Sequence, residues 1–559
     1  MFAILLIVSM FSQGLTIVSY GNNFITAFPE NIAYFYPNTS SSLRVTALLD
    51  GTSVDIFYNG DKTPTKTISN MQKGQTAVVV FPKSAEVYQL DYSTKSIRIT
   101  SNKYIAVHSL TNTISTLNEK SYQTNVVQPN ENLDTHYLIP SLNYTNLVTT
   151  FGLSQSAFWS KRYGLFKLVI INAEDTENSI TIVKNILGSI QLVKFTIPSY
   201  QLIQLQADDS MMMVNSSHKI AVLLTHPCLD NTDCTCSMIV NQILPVRFQG
   251  QNFVVPSIPD INQRQLVMTS NDKTSSLSQN SNQLTPSSSG FLSLSDLNNQ
   301  FVTASSSVSL KLIISGNFIE LIPENMFSAC YLLQHYSTSR KALVIAKTNE
   351  KAQVQAGSNP ITGTGWTLIP NSVYSSTEVT LTDQTTIIWH PSSKIAVYIL
   401  DAFWTGPAIP INDNPDPNGC TTPGDFVVGN QPLKWTESLD YCTNHYNEFA
   451  CPTDEDLQMD LANSVDTTDA EGWIGLRRSL MTTAWYWQTS TTSASSPPVN
   501  YVYWANGQPQ NNTMGFCASL SLDGKDDFKW KSASCCEKKL PVCYKRPIIF
   551  VPIFPLMET

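Results

Sequence analysis

Three short stretches decide the fold class: SNKYIAVHSL at residues 101–110, SSHKIAVLLT at 216–225 and SSKIAVYIL at 392–400. Each stretch joins a Ser-Asn or Ser-Ser pair and a lysine to an Ile-Ala-Val run. The polar pair predicts a turn, and the β-branched run predicts a strand that leaves this turn. Three copies of one turn and strand are hard to obtain by chance, so the sequence indicates related β-modules in tandem.

The spacing of the copies gives the size of a module. The runs that begin at Ile105 and Ile220 lie 115 residues apart, and Pro140 and Pro256 in the flanking HYLIPSL and NFVVPSI lie 116 apart. This period equals one small domain. Upstream of each copy is a strand-turn-strand pattern, and Asp50-Gly51 in the first pattern predicts a hairpin. The three patterns read LRVTALLDGTSVDI, FKLVIINAEDTENSITI and KALVIAKTNEKAQVQ.

The third copy begins 175 residues after the second, and the excess coincides with a stretch dense in Ser, Asn and Gln at 269–307. This composition predicts a disordered or O-glycosylated insertion. We therefore predict a mainly β chain of tandem antiparallel modules followed by a different C-terminal domain. The predicted boundaries are 20–142, 143–260 and 311–415 for the modules and 261–310 for the insertion.

Charge and composition exclude one large class of partner. Only 14% of the 559 residues are charged, 42% are hydrophobic, and the formal net charge is −9. The apolar fraction is sufficient for large cores. Because no block of Lys and Arg is present to neutralise phosphates, nucleic acid is not an expected partner.

The N-terminus resembles a secretory leader. An apolar run, MFAILLIVSMF, is too short to span a bilayer and is followed by small residues at Ser12-Gln13-Gly14, although cleavage after Ser19 also fits. The alternative is a first strand that begins within 1–19. The tail at 546–559 is short and contains three prolines, so no membrane span is expected. We predict a secreted protein with N-glycosylation sequons at Asn38, Asn143, Asn215 and Asn511.

The chain has 11 cysteines, and in an oxidising compartment these predict disulfides with one left over, either free or bound to another chain. His226 with Cys228, Cys234 and Cys236 could also be drawn as a zinc site. Disulfides are the preferred interpretation in a secreted chain, and Cys330 could pair with one of these cysteines. We expect no cofactor.

Residues 20–415 resemble the N-terminal domain of the IgG Fc-binding protein family. The resemblance rests on GNNFITAFPEN at 21–31, on HPCLDNTDCTCSMIVNQILPV at 226–246 and on the Pro-Ser-Ile/Leu segments. It implies an extracellular setting, as in mucus or matrix, and an adhesive function. Immunoglobulin binding does not follow from it, since the chain lacks the family's Cys-dense domains.

After Cys420 the pattern changes. WTESLDYC places Trp435, Leu439 and Cys442 on one face of a helix. A second helix is predicted after Cys451, with Thr453 as its N-cap and three acidic residues in its first turn. Aromatic strands follow, including WIGL, AWYW and YWANGQP, and the segment ends in LPVCY.

This order of elements resembles a C-type lectin-like domain over 420–545. The resemblance implies an α+β fold, a disulfide from Cys442 to Cys543 and a second from Cys517 to either Cys535 or Cys536. Cys420 and Cys451 stay unassigned. Members of the family that bind sugar use calcium at a Glu-Pro-Asn or Gln-Pro-Asp triplet. Here the corresponding candidate residues are Gln508, Pro509, Gln510 and Asn511, and Lys531 stands where the family places an oxygen ligand.

Calcium needs six to eight oxygens, largely from carboxylates, so neutral amides beside a lysine predict no calcium at this site. Asp523, Asp526 and Asp527 could form a calcium loop, but a hairpin turn between strands is the preferred interpretation. Tyr501, Tyr503 and Trp504 could stack on a sugar, although core positions are favoured.

No catalytic motif occurs in the sequence, so we predict a binding protein and not an enzyme. The first hypothesis is a secreted adhesion protein whose lectin-like domain recognises glycans or glycoproteins. The second is a structural component of mucus or matrix that uses this domain for protein contacts and forms an oligomer linked by disulfides. The third, an enzyme that acts on extracellular glycans, has the weakest support.

Overall fold

The computed structural model divides the chain into two compact units, residues 1–420 with 550–559 and residues 421–549. We call the first the ring unit and the second the lectin unit. The structure describes residues 17–30, 38–114, 120–140, 166–186, 188–207, 210–230, 236–256, 264–272, 274–279, 282–284, 291–293, 300–314, 317–334, 341–361, 365–381, 385–400, 405–465, 468–490, 499–510, 515–524, 526–552 and 557–558.

The described part of the ring unit consists of four β-modules, which we name A to D. Module A contains β1 (Tyr20–Thr26), β2 (Phe28–Pro29), β3 (Asn38–Ala47), β4 (Thr52–Tyr58), β5 (Lys66–Met71), β6 (Thr76–Phe81), β7 (Glu86–Val87), β8 (Tyr92–Ser93), β9 (Ile97–Ile114) and β10 (Lys120–Val127). Module B contains β11 (Asp134–Leu138), β12 (Lys167–Asn172), β13 (Asn178–Ile186), β14 (Ser189–Ile197), β15 (Leu202–Gln206), β16 (Met211–Asp230) and β17 (Cys236–Gln242).

Modules C and D complete the ring unit. Module C contains β18 (Gly250–Val255), β19 (Arg264–Thr269), β20 (Leu277–Gln279), β21 (Asn282–Leu284), β22 (Phe291–Ser293), β23 (Gln300–Ile314) and β24 (Asn317–Glu320). Module D contains β25 (Cys330–Gln334), β26 (Lys341–Lys347), β27 (Gln355–Ala356), β28 (Asn359–Pro360), β29 (Thr367–Leu368), β30 (Tyr374–Thr380), β31 (Thr385–Trp389), β32 (Ala396–Leu400), β33 (Thr405–Pro407) and β34 (Ile409–Asn412).

The four modules share one register. In each module, a residue at the start of the module pairs antiparallel with the first residue of the Ile-Ala-Val run, or with the residue at the equivalent position. An aromatic residue three positions later is buried in every module. The pairs are Gly21 with Ile105, Asp134 with Ile220, Gly250 with Val308 and Ser328 with Ile395, and the aromatic residues are Phe24, Tyr137, Phe253 and Tyr331.

Within this register the modules alternate. In B and D the aromatic residue is a tyrosine whose hydroxyl donates to the opposite carbonyl, Tyr137 to Ile220 at 2.5 Å and Tyr331 to Ile395 at 2.9 Å. In A and C it is a phenylalanine, and the residue three positions before it is a glycine. The four modules are therefore two copies of a pair of modules.

The predicted Ser-Asn and Ser-Ser turns are wrong in modules A and B. Ser101 lies inside the continuous β9 and Ser216 inside the continuous β16, each opposite a register shift in the first strand of its module. Each serine hydroxyl donates to the carbonyl two residues later at 2.6 Å. The polar pair therefore marks a β-bulge that bends a long strand. In module D the chain does bend at Ser392 and Ser393, between β31 and β32.

The hairpin predicted at Asp50-Gly51 is also wrong. This turn connects β3 to β4, but the two strands lie on either side of β9 and pair with it. In module B, β12 and β13 flank β16 in the same way. The Asp-Gly pair correctly predicts the turn. The two strands that it connects pair with the long central strand and not with each other, because the central strand offers more backbone hydrogen bonds.

The prediction of three modules with an insertion at 261–310 disagrees with the structure, because module C occupies this segment. Its strands bury Leu266, Leu277, Val302 and Leu310. In β23 apolar side chains alternate with serines, which is the pattern of a strand with one buried face. The high serine content concealed this alternation. The predicted leader at 1–19 also overlaps the fold, since Ile17 and Ser19 are buried in the ring unit.

Apolar clusters join each module to the next and close the ring. Side chains of A and B share one cluster, B and C a second, C and D a third, and D and A a fourth. The closing contact between D and A is also polar, because Gln334 bonds to His108 at 3.0 Å and to Thr46 at 2.8 Å. Cys330 forms a disulfide with Cys420, and not with the cysteines near 228–236.

The lectin unit has two described helices against one sheet. Its elements are β35 (Asp425–Val428), α1 (Trp435–His445), β36 (Glu448–Phe449), α2 (Glu455–Ser464), β37 (Glu471–Arg478), β38 (Trp485–Trp487), β39 (Cys517–Ser521), β40 (Trp530–Ala533) and β41 (Leu540–Lys545), while β42 (Met557–Glu558) belongs to the ring unit. Helix α1 buries Trp435, Leu439 and Cys442, as predicted. Helix α2 is capped by Asp454, one residue later than predicted, because the Asp454 carboxylate accepts from the Leu457 N–H at 2.9 Å.

Candidate functional site

The loop before β39 contains the residues predicted to replace the calcium ligands. The peptide bond between Gln508 and Pro509 is cis. The Gln508 Oε1 atom accepts hydrogen bonds from the Ser532 N–H at 3.0 Å and from the Ser532 hydroxyl at 2.8 Å. In return, the Gln510 N–H donates to the Ser532 hydroxyl at 2.9 Å. The loop is therefore tied to β40 by side-chain hydrogen bonds, while Asn511 lies outside the described residues.

These bonds involve one of the oxygens that a cation at this position would need. The Gln508 carbonyl oxygen is already occupied by Ser532, and Lys531 forms an ion pair with Asp526 at 2.6 Å. A calcium site needs several oxygens with negative charge. Within the described ranges, no three His, Cys, Asp or Glu side chains are grouped so that they could hold a metal ion.

The acidic cluster near this loop lies between two strands, as the hairpin interpretation requires. Strands β39 and β40 pair antiparallel, and Asp523, Asp526 and Asp527 lie in their connection. Asp526 contacts Lys531, and Asp527 contacts Lys529 at 3.7 Å. Asp526 and Asp527 are thus paired with lysines of the same hairpin, whereas Asp523 Oδ1 accepts from the Ser521 hydroxyl at 2.8 Å.

Aromatic side chains form a surface next to the loop. Trp485 and Trp504 lie with ring centroids 4.8 Å apart, and Tyr501 stacks on Tyr503 at 6.2 Å. All four are half-buried and pack on the core, which includes the buried Trp530. The favoured core position therefore holds for one side of these rings, and contact with a sugar through the exposed part stays a prediction. Burial raises the pKa of the Tyr501 hydroxyl to about 12, so this group stays a neutral donor at physiological pH.

The cysteines of the lectin unit follow the expected pattern. Cys442 pairs with Cys543, and Cys517 pairs with Cys535 rather than Cys536. Cys536 is free and exposed, whereas Cys451 is free and half-buried. Burial raises the pKa of the Cys451 thiol well above its usual value, which makes it a poor nucleophile. Sequence reasoning did not assign these two free thiols.

The predicted sites in the ring unit are only partly described. The side chains of Cys228, Cys234, Cys236 and Asn38 lie outside the described side chains, as does the whole of Asn143. His226 is buried and contacts the Phe166 ring edge-to-face at 5.0 Å. Asn215 lies in the middle of β16, and its Oδ1 atom is buried without a hydrogen-bond partner. Among the described residues, no helix has the length and apolar character to cross a bilayer.

Comparisons with known proteins agree with these two architectures. Residues 123–400 match the family model described as IgGFc binding protein, and residues 431–545 match the model of the lectin C-type domain. Human IgGFc-binding protein is 24% identical over 241 residues, which is 42% of this chain and 4% of that protein. Neither matched model describes an enzyme family.

Two further relatives align over a length close to that of the lectin unit. Rat C-type mannose receptor 2 is 30% identical over 110 residues, covering 20% of this chain and 7% of the receptor. Human lithostathine-1-beta is 28% identical over 123 residues, covering 21% of this chain and 69% of that protein. The chain thus spans only a small part of the two longer relatives. It joins an IgGFc-binding protein domain to a C-type lectin domain, and both are domains of binding proteins.

Proposed function

We propose that this chain is a secreted adhesion protein whose lectin unit recognises glycans or glycoproteins without calcium at the usual sugar position. The observation that carries the proposal is the pair of hydrogen bonds from Ser532 to Gln508 Oε1. They use the oxygen that a cation would need and fix the loop without one. A loop that is ordered by its own side chains can present a surface in the absence of metal.

The adjacent aromatic surface supports a carbohydrate ligand. Trp504 and Tyr503 offer ring faces of the kind that stack on the apolar face of a sugar ring. Trp504 packs on Trp530 with ring centroids 5.7 Å apart, and Tyr503 stacks on Tyr501, so both rings are held in place. Little side-chain entropy is then lost on binding, which favours even a small contact area.

Secretion is part of the same proposal. Three disulfides among the described residues suit an oxidising compartment. Expression in a eukaryotic cell should yield protein in the medium whose mobility shifts after digestion with an N-glycosidase. Protein that stays inside the cell and does not shift would contradict the proposed compartment.

A glycan array tests the ligand class. The full chain should bind the same glycans with and without EDTA. Trp504→Leu, which keeps apolar packing but removes the ring, should weaken binding at least tenfold. Val502→Thr is the matched control, since Val502 is 55% exposed beside the same surface. Equal binding by both variants, or binding abolished by EDTA, would reject the proposal, and a melting curve of each variant verifies that it folds.

A structural role in mucus or matrix is the second candidate, and the exposed free thiol of Cys536 favours it. An exposed thiol in an oxidising compartment can form a disulfide with another chain. Non-reducing electrophoresis of secreted protein should then show oligomers that Cys536→Ser abolishes. Monomers in both samples would exclude covalent assembly through this residue.

A further inference from the structure

Strand β14 lies at an open edge of the sheet in module B. The strands of this sheet follow the order β14, β13, β16, β12, β15 and β8, so within the described strands β14 has a neighbour on one side only. It forms a hairpin with β13 in which each strand has nine residues. The outer strands of the corresponding hairpins in modules A, C and D have six, three and two residues. Module B therefore has the longest described strand at this position.

The outer half of β14 is exposed and includes three large apolar side chains. All six residues from 189 to 194 are exposed, and Ile190, Leu192 and Val193 are among them. Proteins usually protect an open edge with proline, a bulge or several charged side chains, because an unprotected edge pairs with other strands. Strand β14 contains no proline, keeps one register with β13 over all nine residues and has Lys194 as its only charged residue. This edge is therefore suited to pairing with another strand.

The backbone groups of Ile190 and Leu192 point away from the hairpin. Strand β13 lies between β14 and β16, and the Asn185 N–H donates to the Ser210 carbonyl on the β16 side. Asn185 is opposite Ile190, so this pair has no backbone hydrogen bonds between its members. Because bonded and non-bonded pairs alternate along a hairpin, Ile190 and Leu192 both direct their N–H and C=O groups toward the open edge.

Other sheet edges of the ring unit are covered by strands of the same chain. In module B, β8 of module A pairs with β15 at the opposite end of the sheet. In module A, β42 pairs with β6, which lies beside β3 as β15 lies beside β12. A second copy of the chain can cover β14 in the same way. Two identical edges that pair around a two-fold axis cover each other, so a second copy leaves neither edge open.

Two copies of β14 can pair only in certain registers. Their two-fold axis is perpendicular to the sheet, and outward backbone groups of one copy must meet outward groups of the other. In the register centred on Gln191, Ile190 lies opposite Leu192 of the second copy, and Leu192 lies opposite the second Ile190. Each pair exchanges two backbone hydrogen bonds and places apolar side chains opposite each other, which stabilises a sheet. The register centred on Leu192 is less favourable, because it places Ile190 opposite Lys194.

Charge and exposure agree with the register centred on Gln191. It places the two Lys194 side chains six positions apart along the strands, which is about 20 Å, so like charges do not meet. It pairs only residues 189–193, all of which are exposed. Phe195 and Ile197 stay packed in the core of their own module. The hairpins can therefore meet without any change in the core.

We propose that the ring unit forms a symmetric dimer in which residues 189–193 of β14 pair antiparallel with the same residues of a second copy around Gln191. The two hairpins then join in one four-stranded sheet. Because the paired segment is short, the dimer is reversible and dissociates on dilution. It is independent of the ligand of the lectin unit, and backbone hydrogen bonds rather than the Cys536 thiol hold it together.

Sedimentation velocity of the full chain tests the dimer, with Cys536→Ser present throughout to remove the covalent route. The mean mass should rise from that of one chain toward that of two between about 1 and 100 µM. Leu192→Lys should weaken association at least tenfold, because it removes an apolar pair and adds charge at the edge. Leu368→Lys is the matched control, since Leu368 is 57% exposed and Leu192 is 58% exposed. Monomers at every concentration, or equal dimers in both variants, would overturn the proposal.

Cysteine cross-linking tests the register in the same Cys536→Ser background. The two Gln191 residues form a non-bonded pair with Cα atoms about 4.5 Å apart, which is within the range of a disulfide. Gln191→Cys should therefore give a covalent dimer on a non-reducing gel after mild oxidation. Lys194→Cys should give no more than the parent chain, because its two thiols are about 20 Å apart. Cross-linking at both positions, or at neither, would overturn the proposal.

Discussion

The ring unit and the lectin unit are stabilised in different ways. The ring unit repeats one register four times, and neighbouring modules share apolar clusters around a closed circle. The lectin unit has about a third as many residues, and two disulfides tie its helix, sheet and loops together. The comparison shows that a large unit can be stabilised by apolar side chains buried throughout it, whereas a small domain depends more on a few disulfides.

The largest expected effect comes from removing disulfides with similar loops in the two units. Cys442 and Cys543 are 101 residues apart, and Cys330 and Cys420 are 90 apart. Replacing either pair by Ser should cost about 4 to 5 kcal/mol. The melting temperature should fall by about 15 °C for the lectin unit but only about 5 °C for the ring unit, because the entropy of unfolding scales with size.

Differential scanning calorimetry of the full chain measures both transitions. Each double variant should move one transition and leave the other in place. Equal shifts, or one merged transition, would show that the two units do not unfold independently and would remove the basis of the comparison.

Acid should weaken the ring unit where modules D and A meet. Burial lowers the pKa of His108 to about 4 from its ordinary 6.5, although its bond to Gln334 opposes the change. The unfolded chain therefore binds the proton first as pH falls. The free energy of unfolding should be highest above pH 6.5. It should fall by about 3 kcal/mol in all as the pH is lowered from 6.5 to about 4.

Urea unfolding at several pH values between 7 and 4 tests this dependence. His108→Gln, which keeps a hydrogen-bonding side chain without a titrating ring, should show a smaller decline in the midpoint. The same slope in wild type and variant would mean that other groups cause the acid sensitivity.

A smaller effect is expected from the glycines that begin modules A and C. A Cβ atom on Gly21 would lie 2.6 Å from the Pro129 Cβ, and one on Gly250 would lie 2.3 Å from the Pro323 Cβ. Alanine at either position should cost about 1 to 3 kcal/mol through overpacking. Gly365→Ala is the control, since nothing lies within 4 Å of its Cβ position. If Gly250→Ala left the free energy of unfolding unchanged, the backbone at Gly250 and Pro323 could move apart without cost.

The smallest effect should come from calcium on the lectin unit. Calcium at about 10 mM exceeds the dissociation constants of weak extracellular calcium modules, yet it should leave the melting temperature of this transition unchanged. A clear rise that Gln508→Ala with Gln510→Ala removes would refute the prediction that this loop does without the metal.

The sequence predicted the structure correctly where a residue type at a given spacing allows only one arrangement. Cys442 and Trp435 lie on the same helix face because helical spacing allows little else, and the expected Cys442 to Cys543 disulfide is present. The lectin unit could be recognised from such fixed positions. The hydrogen bonds between Gln508 and Ser532 could not, because they join residues 24 apart through a loop conformation.

The ring unit was harder to predict, because what repeats in it is the way its strands pair and not the identity of the residues. Val308 occupies the position of Ile220, but its neighbours are serines and the Ile-Ala-Val pattern is absent. Asp50-Gly51 predicted a hairpin, although β9 lies between the two strands that it connects. Pairing between distant strands is decided by burial over the whole module, which a local pattern does not contain.

The closure of the ring also sets the order of events during biosynthesis. Thr46 and its partner Gln334 are separated by 288 residues. At about 5 to 20 residues per second, the ribosome needs about 15 to 60 seconds to make that length of chain. Throughout this interval the part of module D that covers Leu48 and Tyr104 of module A in the folded chain has not yet been made.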